Sequence, residues 1–85
     1  EVLVVESYIP ERAIDDVAEE IERREGRVDE INRDLPGAAM IRAYMGASNL
    51  RGFAAQLTVL GGSDAMFTAH HAHYAPRTPA DRTRS

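Results

Sequence analysis

Eighty-five residues make one domain with a single modest core, and a hydrophobic fraction of 44% argues against wholesale disorder. The lack of cysteine excludes a disulfide scaffold and any thiolate chemistry, and no apolar run approaches the roughly 20 residues that a membrane-spanning helix needs. A net charge of −4 argues against a free-standing electrostatic nucleic-acid binder; all the basic residues apart from histidine are arginine, and Arg77, Arg82 and Arg84 stand near the end, away from the acidic first helix. The opening EVLVVESYIP lacks the basic leader of a signal peptide, and a start on Glu1 instead of Met is what a piece of a longer protein would show.

Val2 to Ile9 alternates as a first strand, with Leu3, Val5, Ser7 and Ile9 on one side and Val2, Val4, Glu6 and Tyr8 on the other. Pro10 opens a helix, where its missing N–H costs nothing, and Glu11, Asp15 and Asp16 suit the positive end of the helix dipole. Ile14, Val17, Ala18 and Ile21 give that helix one apolar stripe. Arg23 and Arg24 sit in its last turn, and Gly26 is expected in the left-handed conformation that ends a helix. Arg27 to Arg33 reads as a weaker second strand. Val28 and Ile31 lie three apart, so a bulge or a register shift is expected.

Asp34-Leu35-Pro36-Gly37 is a turn, and Ala38 to Met45 a third strand in which Ile41, Ala43 and Met45 alternate with Met40, Arg42 and Tyr44. Ser48 is the expected N-cap of a second helix whose stripe is Leu50, Phe53, Ala54, Leu57 and Leu60. Gly52 falls inside that pattern, where it costs roughly 1 kcal/mol against alanine; close packing of the helix on the sheet is the favoured reason. Gly61-Gly62 ends the helix, and Ala65 to Tyr74 is the fourth strand. Residues 1–76 form the domain, and 77–85 read as a flexible polar tail.

The order strand, helix, strand, strand, helix, strand predicts an α+β, ferredoxin-like βαββαβ sandwich: a four-stranded antiparallel sheet with two helices on one face and right-handed crossovers. Leu3, Val5, Ile9, Ile41, Ala43, Met45, Phe67 and Ala69 then point at the helices. Val2, Val4, Tyr8, Met40, Tyr44, Met66 and Tyr74 line the open face, a set apolar enough to mark an interface.

Five motifs in order carry a family resemblance: Ile9-Pro10-Glu11, Arg23-Arg24-Glu25-Gly26, Ile41-Arg42-Ala43-Tyr44, the run Arg51 to Leu57 (RGFAAQL), and His73-Tyr74. Over about residues 2 to 76 the chain resembles the C-terminal domain (domain V) of elongation factor G and related translational GTPases. It departs from the family pattern at Thr58 and Asp64, where arginines are lost, at Gly46-Ala47 in place of Pro-Leu, and at His71 in place of an aromatic. The lost cations weaken the case for tight ribosomal RNA binding. The resemblance implies a non-catalytic module in a cytoplasmic protein of translation. GTP and Mg²⁺ belong to a separate domain of such a parent, and no cofactor to this one. The implied partners are the ribosome (large-subunit RNA and a stalk-base protein) and neighbouring domains of the parent. This chain has no GxxxxGK[ST] loop of its own.

The candidate ribosome, RNA or interdomain contacts are Arg23, Arg24, Arg27, Asn49, Arg51 and Ser63. Arg23, Arg24 and Arg27 can instead cap the first helix and pair with Glu19, Glu20 and Glu22. Arg51 has no acid one turn away and is the better contact candidate. His71 and His73 share a strand face about 7 Å apart, but a third metal ligand is not evident and His70 points away. Ordinary strand residues are the favoured reading, with no metal assigned. No nucleophile stands at informative spacing from a base, so no catalytic residue is assigned and an enzyme of this fold is disfavoured. The competing class is a stand-alone domain that homodimerises through its open sheet face to bind a small ligand or a regulatory partner.

Overall fold

The structure, a computed structural model, describes residues 1–72. His73, Tyr74 and the polar tail lie outside the described residues. The elements are β1 (Val2–Pro10), α1 (Ile14–Arg23), β2 (Arg27–Leu35), β3 (Ala38–Gly46), α2 (Phe53–Gly61) and β4 (Met66–His71). Short 3₁₀ turns at Glu11–Ala13 and Ala47–Leu50 lead into the two helices. The strands form one antiparallel sheet in the order β2-β3-β1-β4, the expected ferredoxin-like α+β arrangement.

Alternation along the strands sends Val5, Ile9, Ile41, Ala43 and Met45 under the helices, where they meet Ile14, Val17 and Ile21 of α1 and Phe53 and Leu57 of α2. Each of these side chains larger than alanine, fully buried, contributes about 1.5–3 kcal/mol. Leu3 and Phe67 pack against this core from its margin, and the Phe67 ring meets Phe53 edge-on at 5.1 Å between centroids. Ala69 shares their side by register but is exposed, because it sits on the edge strand. Ser7 is fully buried in the same layer and its hydroxyl has no hydrogen-bond partner.

The bulge in β2 is present. Val28 pairs with Ala43 and Ile31 with Ile41, so three steps on β2 match two on β3, and both apolar side chains pack against the core. Five local expectations are corrected. Pro10 belongs to β1: it pairs with Ala38, and Glu11 N–H donates to Gly37 O at 3.1 Å, which delays the helix by one turn. Ala54 lies outside the buried stripe of α2, exposed beside Phe53.

At the end of α1 the left-handed residue is Glu25 (φ 64°), not Gly26. Gly26 N–H bonds Ile21 O and Glu25 N–H bonds Glu22 O, both at 2.9 Å, a Schellman closure with glutamate at its left-handed position. Gly26 is required by space instead: a Cβ there would stand 2.5 Å from Met45 Cγ. Ser48 caps nothing. It lies exposed in the 3₁₀ turn, and Gly52 precedes α2 with φ 76°. A Cβ on Gly52 would meet only the Arg24 guanidinium at 3.9 Å, so backbone conformation selects glycine there and close packing does not.

Candidate functional site

One end of the sandwich gathers the last turn of α1, the starts of β1 and β2, the end of β3 and the loop into α2. Glu20, only 6% exposed, is the anchor there. Its spacing from Arg23 and Arg24 puts all three on one side of the helix, and its carboxylate accepts hydrogen bonds from Arg23 Nη1 and from Arg24 Nε, the latter at 2.7 Å. The Arg24 guanidinium goes on to donate from Nη1 to Asn49 O at 2.9 Å and Arg51 O at 2.8 Å. It also lies 5.3 Å from the centroid of the buried Phe53 ring. Arg24 thereby joins α1 to the Ala47–Gly52 loop, which has no side-chain cap at either of its helical turns.

The same end places the other candidate cations differently. Arg23 is exposed beyond its contacts with Glu20 and Glu19. Arg51 is exposed and makes no ion pair among the described residues, while Asn49 is half-buried with its carbonyl taken by Arg24. Arg27, at the start of β2, is exposed and lies over the Tyr44 ring at 5.6 Å, on the open face of the sheet. Ser63 is not part of this cluster. It lies at the opposite end, on an open groove of about 530 Å³ shared with Pro10, Arg12, Gly37 and Asp64.

Val2, Val4, Tyr8, Met40, Tyr44 and Met66 occupy the open face in the expected register. That face is not a continuous apolar patch. Tyr8 stands between Met40 and Met66, and Val4 between Tyr44 and His70, but a charged row runs between them. In that row Arg42 Nε donates to Glu6 Oε2 at 3.2 Å and Arg42 Nη1 to Glu30 Oε1 at 2.6 Å, with Asp29 at 3.8 Å. The Glu6 hydrogen bond first, then the charge of Glu30, raises the Arg42 pKa above its ordinary value, so the guanidinium stays charged.

His70 faces the open side beside Val4, and His71 Nδ1 lies 2.5 Å from Glu1 Oε2. Among the described residues no group of three or more histidine or acidic side chains is placed to hold a metal ion. No helix of the described residues is long and apolar enough to cross a membrane.

The Arg23 and Arg24 contacts with Glu19 and Glu20 were legible from helical spacing. The reach of Arg24 to two carbonyls more than twenty residues on, and the clustering of Glu6, Glu30 and Arg42, were not. Only strand register brings the latter together.

Strand order, register and the one-sided helices define the class: an α+β domain of the ferredoxin-like kind. Within it, the family described as "Elongation factor G C-terminus" matches residues 2–84, and the chain belongs to that family. Among solved structures it is similar to the crystal structure of ttk003000868, a protein from Thermus thermophilus, with a TM-score of 0.76 and 17% identity. The match covers 88% of this chain and 12% of that one, so the chain spans a small part of the longer protein. Comparison with curated proteins finds no significant match.

Proposed function

We propose that this chain serves as the non-catalytic C-terminal domain of an elongation factor G-like translational GTPase, contributing ribosome binding and interdomain coupling during protein synthesis. The observation that carries the reading is the family match across residues 2–84. GTP and Mg²⁺ would act in another domain of that parent, in the cytoplasm. The exposed cations Arg23, Arg27 and Arg51 form the ribosome-facing end, and the open sheet face meets a neighbouring domain.

Binding of the chain to purified large ribosomal subunits, measured across a salt series, tests this. Arg51→Ala is expected to weaken binding and to lower the slope of log affinity on log salt by about 1. Salt-independent binding, or none, would count against the ribosome reading. A second reading is favoured by the exposed Tyr8 and Met66 on the open face: homodimerisation through that surface. Sedimentation equilibrium decides it, because a dimer disrupted by Met66→Glu would support the stand-alone class.

A further inference from the structure

Arg24 belongs to the motif that the ribosome reading treats as a contact, yet its Nε and Nη1 donors are directed inward. Its side chain is 19% exposed. Nε is committed to the buried Glu20 carboxylate, Nη1 is shared between the carbonyls of Asn49 and Arg51, and one guanidinium face covers Phe53. The loop it grips has few other ties: Ala47 N–H donates to Glu1 O at 2.9 Å and Leu50 packs against the core. Neither its 3₁₀ turn nor α2 has a side-chain cap, Arg51 is extended (φ −58°, ψ 126°), and Gly52 is left-handed. Without a tie, a loop containing glycine at such a position samples many conformations.

We propose that Arg24 is a positioning residue: it locks the Ala47–Gly52 loop onto α1 so that Arg51 projects in one direction, and it makes no partner contact of its own. The proposal rests on the ribosome reading for what Arg51 meets, but the lock itself is a property of the free domain. The geometry explains why arginine is needed. A planar fork can reach Glu20 and two carbonyls together while stacking on a ring; an ammonium of the same charge cannot. Glu20 is the other half of the device, because its buried carboxylate orients the fork.

The test uses Arg24→Lys, which preserves net charge, together with Arg51→Ala and the double variant. Amide hydrogen exchange on the free chain is read first. The proposal expects exchange within residues 47–52 to accelerate about tenfold or more in Arg24→Lys, with the sheet amides unchanged. If that variant does not fold, Glu20→Gln, which keeps shape and one acceptor, is expected to loosen the same loop. Binding to purified large ribosomal subunits is read second. Arg24→Lys should lose affinity although its charge is intact, and should cost nothing further when Arg51 is already alanine.

Unchanged loop exchange, additive losses in the double variant, or full binding by Arg24→Lys would overturn the proposal. If the wild-type chain does not bind the particles at all, the ribosome reading fails, and the lock is judged on the exchange result alone.

Discussion

The two faces of the sheet are built from the same strands and solve opposite problems. On the covered face Val5, Ile41 and Ala43 are completely buried, and so is the polar Ser7, whose hydroxyl is left without a partner. One residue along in each strand, the open face carries Glu6, Arg42 and Tyr44, with Glu6 and Arg42 paired across strands and Arg27 over the Tyr44 ring. The comparison teaches that alternation fixes which residues face each way, whereas neighbouring strands decide whether a polar group finds a partner. Arg42 receives carboxylates from β1 and β2, on either side of β3; Ser7 receives only aliphatic and aromatic neighbours, Ile41 on β3 and Phe67 on β4.

The sharpest break of this contrast comes from adjacent residues of β3. Ile41→Ala should lower the unfolding free energy by about 2–5 kcal/mol, since it empties a site under the helices. Met40→Ala on the open face should cost less than about 1 kcal/mol; urea melts of both compare them directly. Gly26→Ala, which pushes a methyl into Met45 and Ile21, should cost about 1–3 kcal/mol in the same melts.

Ser7→Ala runs the other way. Removing an unpaired buried hydroxyl should raise stability by about 1 kcal/mol, and a loss of that size would show that the hydroxyl is satisfied after all. The smallest effect is expected at the charged row. Arg42→Met should change stability by no more than about 1 kcal/mol, and the change should shrink in high salt. Because the Arg42 pKa is raised, its contribution is fully present below the ordinary guanidinium value and is lost only in strongly alkaline solution. Melts from pH 6 to 9 should therefore show no titration from this group.

Much of the architecture was legible along the chain. Period-two alternation marked β1 and β3, the Ile14-Val17-Ile21 stripe marked α1, and three-residue spacing of Val28 and Ile31 signalled the bulge. These features are local, since each element must bury one side whatever it packs on. The candidate site was legible only in part. Arg23, Arg24, Arg27, Asn49 and Arg51 do share one end of the sandwich, but Ser63 lies at the other. Their motifs name residue types and spacing, and say nothing of which side chains turn inward.

The sequence by itself determined the order of elements, the face each strand residue takes and the family to which the domain belongs, because periodicity and ordered motifs are written in neighbouring residues. Only the tertiary structure decided why Gly26 and Gly52 are glycines, one by the space beside Met45 and the other by its backbone angle. It alone decided that Arg24 serves the loop at Asn49 and Arg51 while Arg51 itself stands free of ion pairs among the described residues. The physical reason is the same in each case: a glycine or an arginine is defined by what surrounds it, and those surroundings arrive from distant parts of the chain.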